Sequence, residues 1–382
     1  MKMNVSYRSL VILFAIQYTL LAGAATPQVI ENEMNACWNK NVEIQGNVSM
    51  NPTCIAKGGV LIRTSGTHLD CRGGTISLDK KVNSAIIIDS QGEEIQDISI
   101  KNCILKGSKF KTIYIGWNQS DRKKSERLSR EELYERTPKN ITIEKTRILE
   151  SGSSGIYIDD YTQNVTMNEL IIENTPAMAI YFEFSSKGNI LKNSTIRGAG
   201  KAVKREAISI DSSQSNLIEN NKFIDNPYGG IFIYKNCSEH LKTRSNQVTR
   251  WMSADHNQIM GNEIVGSRRA VWIAARQSKR QHKSECGNGY YAEDTYTLDS
   301  AKNNLVAGNK ISKAEVGIIV EDDFNEIRDN QFEDISREPI WIGTPMRSKY
   351  LNQPVQEVKV TGNKLQGRDA ATLYRWGSKK SD

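Results

Sequence analysis

No two cysteines in the sequence are spaced CxxC, and none of its 4 histidines form HxxxH. With no ligand spacing to hold zinc, the 6 cysteines read as disulfide partners in an oxidising compartment. No GxSxG, P-loop or dinucleotide fingerprint occurs in a supporting context, which sets aside the enzymes built on those loops. Beyond Leu21 no run approaches twenty apolar residues, so no membrane span is expected in the mature chain. Nucleic-acid motifs are missing as well, and no nucleic-acid partner is expected. Proline is scarce at 8 residues while asparagine is frequent, a balance that suits left-handed turns and side-chain ladders.

What is present begins with an address. Lys2 and Arg8 precede an apolar run from Leu10 to Leu21, and Ala22-Gly23-Ala24 supplies a small-residue cleavage pattern. Residues 1–24 are therefore expected to be a secretory signal peptide rather than an anchor, with a secreted or periplasmic product. The formal charge is +7, and losing Lys2 and Arg8 with the leader would leave +5. An exported basic protein meets anionic glycans or lipids more often than nucleic acid.

The body of the chain repeats. Asparagine-marked segments recur: QNVTMNELIIEN (163–174), GNILKNSTIRGA (188–199), SNLIENNKFIDN (215–226), HNQIMGNEIVGS (256–267) and NNLVAGNKISKA (303–314). Each is followed by a short apolar strand, among them KTIYIG (111–116), GIYIDD (155–160), AIYFEF (179–184), AISIDS (207–212), GIFIYK (230–235), AVWIAA (270–275) and PIWIGT (339–344). The period is about 22 to 28 residues, too rich in short alternating strands and too poor in leucine for a leucine-rich repeat. Units that cannot bury a face alone must stack. The expected fold is all-β: a single-domain right-handed parallel β-helix of about nine to eleven turns. A β-sandwich would instead call for hairpin turns and no fixed asparagine register. The boundaries read as a cap and first turns over 25–75, the β-helix over 76–367 and a polar tail over 368–382. Long insertions at 116–139, 236–255 and 276–302 would frame a cleft, the first with a short helix. Proximity in such a stack pairs Cys37 with Cys54, Cys71 with Cys103, and Cys237 with Cys286.

Stacking turns the sequence into columns. In each second-half strand the flanking apolar residues point inward and the residue between them points outward. The outward column reads Ile87, Tyr114, Tyr157, Tyr181, Ser209, Phe232, Trp272, Ile319 and Trp341. Two residues on, a second column contains Asp89, Gly116, Asp159, Glu183, Asp211, Tyr234, Ala274, Glu321 and Gly343. Aromatic faces stack on sugar rings, and carboxylates bond hydroxyls or bind Ca²⁺. An exposed groove for a chain of sugars is therefore expected, with Tyr157, Tyr181, Phe232, Trp272, Asp160, Tyr161 and Asn236 touching substrate. Asp159, Glu183 and Asp211 stand on consecutive turns, where like charges about 4.8 Å apart invite a cation. Ca²⁺ is the candidate.

The strings GIYIDDY (155–161), GIFIYKNC (230–237) and AVWIAARQS (270–278) resemble exported bacterial β-helix proteins of the RbmB-like biofilm-matrix polysaccharide lyase group, within the pectate-lyase superfamily. That resemblance implies β-elimination on an acidic exopolysaccharide. The chemistry needs the uronate carboxylate neutralised, a base for the C5 proton and an acid for the 4-linked oxygen. Neutralisation falls to Ca²⁺ on Asp159, Glu183 and Asp211, or to Arg276 as a bidentate clamp. Lys235, with its pKa lowered by burial, is the expected base, and Tyr234 the acid. The sequence departs from β-helix alginate lyases, which resemble a lysine-then-arginine pattern where Asp211 and Tyr234 stand here. It also lacks the Gly-His-Gly of polygalacturonases. Hydrolysis by paired carboxylates, uronate C5-epimerisation and non-catalytic matrix binding stay open as alternatives. The expected partner is an anionic polysaccharide, and the expected state a monomer.

Overall fold

The structure, a computed structural model, describes residues 27–117, 128–236, 251–274, 301–344 and 352–375, and the backbone alone of 291–292 and 296–297. Within them the chain winds into a parallel β-helix. One sheet has 12 strands, and a second sheet of 23 strands is two faces joined at a corner. The join is made by two long strands, Lys310–Val320 and Gln331–Ile342. The first of these pairs with Glu263–Val265 on one face and with Arg269–Ile273 on the next.

Period-2 alternation explains the strands and their stacking. Ile86, Ile113, Ile156, Ile180, Ile208, Ile231, Val271, Ile318 and Ile340 lie in one register file, all fully buried. Removing each such side chain from water contributes about 1.5–3 kcal/mol, so the interior file is the main cohesive element.

Corners need left-handed backbone, and the sequence supplies it. Ser215, His256 and Asn303 have φ of 57°, 58° and 55°, and Gly261 and Gly308 take the matching position at the next corner with φ of 61° and 65°. Each turns the chain so that the following asparagine points inward. Two asparagine files result. Asn216 donates from Nδ2 to Asn257 Oδ1 at 2.8 Å, and Asn257 to Asn304 at 3.1 Å. In the second file Asn221 donates to Asn262 at 3.0 Å, and Asn262 to Asn309 at 3.0 Å. Backbone N–H groups of the same residues also donate up the file, so polar atoms inside the coil are satisfied turn by turn.

Two of the expected disulfides, Cys37–Cys54 and Cys71–Cys103, are present and tie the first turns together. Both suit an oxidising compartment. Cys237 and Cys286 lie outside the described residues, as do the leader segment and Arg276. A short helix, Arg130–Glu135, does interrupt the coil. It is set by a capping box in which Ser129 and Glu132 bond each other's backbone. Strand pairing starts at Gln28, and Thr372–Tyr374 still pairs with Ile340–Ile342, so the sheet runs beyond residue 367. Among the described residues no helix is long and apolar enough to cross a membrane.

Candidate functional site

The outward column exists as read. Register places Ile87, Tyr114, Tyr157, Tyr181, Ser209, Phe232, Trp272, Ile319 and Trp341 side by side on successive turns. Asp89 lies beside Gly116 and Asp211 beside Tyr234 in the second column. Gly116 is small for a reason: an added Cβ would stand 2.4 Å from the Cβ of Asp159. Tyr157 stacks on Tyr181 with centroids 5.2 Å apart and planes 7° from parallel. Lys111 sits 3.3 Å above the Tyr157 ring.

The two columns are laced together diagonally. Tyr114 donates its hydroxyl to Asp159, Tyr157 to Glu183, and Tyr181 to Asp211 at 2.5 Å, each reaching one turn ahead. Asp211 also accepts from the Asn236 backbone at 2.8 Å and from its side-chain amide at 2.6 Å. Each phenol gives its acid a hydrogen-bond donor within the coil. Among the described residues no three His, Cys, Asp or Glu side chains gather to hold a metal. Asp159, Glu183 and Asp211 each turn one carboxylate oxygen to a tyrosine.

The same lacing corrects the expectation of an open groove. Asp159, Glu183, Asp211, Tyr181 and Phe232 are buried, and only Tyr157 and Trp272 of the expected aromatic contacts are half-exposed. Asp160 and Asn236 are buried as well. Tyr161 is a packing residue. It lies with Trp117, Leu133 and Phe184 in a satellite apolar cluster, and its hydroxyl accepts from Trp251 Nε1 at 3.0 Å. Burial pushes the Tyr161 hydroxyl pKa up, so it stays a neutral phenol. Lys235 is not a groove-lining side chain either. It follows the strand Ile231–Tyr234 and is fully buried.

The polar cluster with the most chemistry centres on Tyr234. Its hydroxyl accepts from Arg205 Nη2 at 2.7 Å and donates to Glu206 Oε1 at 2.9 Å. Arg205 also grips Glu206 through Nε and Nη2 at 3.1 and 2.9 Å, and Ser209 donates to the same carboxylate. Burial alone would push Glu206 up, but the Arg205 fork and the Ser209 hydroxyl hold it below the ordinary glutamate range. Burial works against the charge on Arg205 too, and Tyr234 and Glu206 more than offset it. Ser209 is the one small residue in the outward column, and its hydroxyl joins this buried cluster. Sequence reasoning missed Arg205 and Glu206 because they precede their strand, where alternation assigns no face. The signal was the charged pair directly before AISID.

Tyr234, Asp211 and Asn236 are therefore brought together, with Lys235 between Tyr234 and Asn236 in the chain. Asn236 Oδ1 is buried with no hydrogen-bond donor among the described residues.

Residues 84–278, just over half the chain, match the family described as right handed beta helix region. The chain belongs to the right-handed β-helix family. No curated protein sequence matches it. Among solved β-helix structures, a tailspike protein double mutant of E. coli bacteriophage HK620, in complex with a pentasaccharide, is 10% identical with a TM-score of 0.51. The likeness covers 89% of this chain and 60% of that one. The catalytic domain of a GH87 alpha-1,3-glucanase in complex with nigerose is 11% identical, TM-score 0.51, over 89% of this chain and 63% of the other. An alginate lyase of Paenibacillus sp. str. FPU-7 is 11% identical with a TM-score of 0.40, over 90% and 88% of the two chains. At such identities the likeness concerns the fold of the coil.

Proposed function

We propose that this β-helix is an exported lyase that cleaves an acidic, uronate-containing exopolysaccharide by β-elimination, in remodelling of a biofilm matrix. The observation that carries the reading is the Tyr234 hydroxyl held between a guanidinium donor and a carboxylate acceptor, 2.7 and 2.9 Å away. A phenol so placed can release a proton to a leaving oxygen, because Arg205 stabilises the oxygen that remains. In the reaction, a base removes the C5 proton, its electron pair forms the C4–C5 double bond, and the C4–O bond breaks. Tyr234 then protonates the departing oxygen. Asp211 is the anchor that fixes Asn236 beside Tyr234, through the Asn236 backbone N–H and side-chain amide. The fold relatives in complex with oligosaccharides support a saccharide along this coil.

Hydrolysis is the second reading, favoured by the three carboxylates on consecutive turns. Each of them already accepts a tyrosine proton, which suits anchoring better than activation of water. The deciding experiment is absorbance near 235 nm while the purified mature protein acts on acidic bacterial exopolysaccharides. A rise reports the unsaturated uronate of a lyase. New reducing ends without that absorbance would replace the reading by hydrolysis.

A further inference from the structure

Trp272 was expected to offer its ring to a sugar, but part of that ring is already taken. The Arg269 guanidinium lies 4.8 Å from the ring centroid, and Phe232 packs against Trp272 in an edge contact at 5.1 Å. Arg269 and Trp272 are both half-exposed, so this turn presents a cation seated on an aromatic plane.

Register explains why Arg269 has no anion of its own. It pairs with Val316 on the following turn. On the preceding turn the matching place belongs to Gly229, which stands two residues before Ile231 as Arg269 stands two before Val271. The Gly230 N–H donates to the Arg269 carbonyl at 3.0 Å, which fixes that adjacency. Gly229 has no room for a side chain, since an added Cβ would stand 2.3 Å from the Phe232 ring. Neither neighbour therefore offers a side-chain acceptor. Glu315 is engaged elsewhere, accepting from Arg268 and Arg337 at 2.9 Å each. Among the described residues the Arg269 guanidinium makes no ion pair. Burial and the Arg268 charge push its pKa down, and Glu321 and Glu315 do not restore it. A guanidinium held on a ring is weakly hydrated and loses little freedom on meeting a carboxylate, which suits an anion arriving from outside.

The distance from Tyr234 decides which anion that is. Tyr234 donates back one turn to Glu206, which stands two residues before Ile208 and so shares the file of Gly229 and Arg269. Two turns separate Glu206 from Arg269, about 10 Å. The carboxylate of a uronate undergoing elimination is only a few bonds from the oxygen that leaves, so it stays near Tyr234. A carboxylate at Arg269 belongs to a different sugar.

We propose that Arg269, seated on Trp272, is a specificity-determining residue that binds the carboxylate of a non-reacting sugar further along the polysaccharide. The proposal rests on the acidic-polysaccharide reading above and deepens it: the substrate must carry charge away from the bond that breaks.

The test is calorimetric binding in a Tyr234→Phe background, which keeps turnover out of the measurement. The probes are the hexasaccharides of galacturonate and of mannuronate, each compared with its methyl ester, which keeps the ring and removes the charge. At least one acid is expected to bind about 10-fold tighter than its ester. In Arg269→Gln that ratio is expected to fall to about 1–2-fold, and in Arg269→Lys to about 3-fold, because lysine keeps the charge without the fork. Melting temperatures report whether the variants fold, and if Arg269→Gln does not, the ratio in Arg269→Lys decides. An undiminished ratio in the deciding variant, or no preference for either acid in the parent background, would overturn the proposal. Charge preference that depends on Arg269 in a protein giving no absorbance at 235 nm would fault the lyase reading and leave Arg269 its role. Absorbance at 235 nm without that dependence would do the reverse.

Discussion

Tyr181 reaches across one turn of the coil to place its hydroxyl 2.5 Å from a carboxylate oxygen of Asp211. Both side chains are buried, so the bond replaces water that the acid would otherwise need. Tyr181→Phe keeps the ring and its stack on Tyr157 but removes the donor. The expected cost is about 1–3 kcal/mol in chemical denaturation. A loss below a few tenths would mean that the acid is served well enough by its other partners, Asn236 and Ser212 among them.

The asparagine files make a stronger claim about stability. Asn262 accepts from Asn221 and donates to both Ile218 O and Asn309. Asn262→Ala strands partners on both sides and is expected to cost about 3 kcal/mol or more. Asn262→Asp should not rescue it, because a carboxylate would face the Oδ1 of Asn309. Denaturant midpoints of the two variants check this.

Acid stability should carry a signature of Glu206. Its folded pKa is depressed, so its contribution to stability is present above the ordinary glutamate value, about 4.3, and fades as pH falls through the lower folded value. Glu206→Gln should therefore lose stability mainly above pH about 4.3 and converge on the parent protein in stronger acid. Melting curves from neutral pH downward test the sign.

Catalysis should separate from binding at Tyr234. Tyr234→Phe is expected to lower turnover at 235 nm by about 100-fold or more with substrate affinity retained. Arg205→Lys should fall between the two, because a lysine keeps the charge but not the fork that holds Glu206. If Tyr234→Phe turns over at the parent rate, the acid is another group.

The Cys71–Cys103 link closes a stretch with a sequence separation of 32 residues. Replacing both cysteines by alanine is expected to cost about 3–4 kcal/mol on chain-entropy grounds. The check is a melting temperature compared with that of the parent chain, with and without reductant.

The columns were legible in the sequence because alternation inside a strand and asparagine at corners fix the register independently. Tyr157, Tyr181 and Phe232 fall where that reasoning puts them. The burial of Tyr181 and Phe232 was not legible, since alternation gives the face of a side chain and not its reach. A tyrosine long enough to touch the next turn converts an exposed acid into a buried one. The diagonal was nonetheless written in GIYIDD and AIYFEF, where each tyrosine precedes by one repeat the acid it serves. Arg205 and Glu206 escaped notice because they lie before the strand, in backbone without a period.

The linked asparagines also limit how such a chain can be edited over generations. Removing part of a coil would leave an amide facing the wrong neighbour along the whole file. Removing or duplicating one complete circuit would renew every bond with an equivalent partner. Length in this molecule is therefore expected to change in whole circuits, and the span available to a bound polymer to change in the same discrete steps.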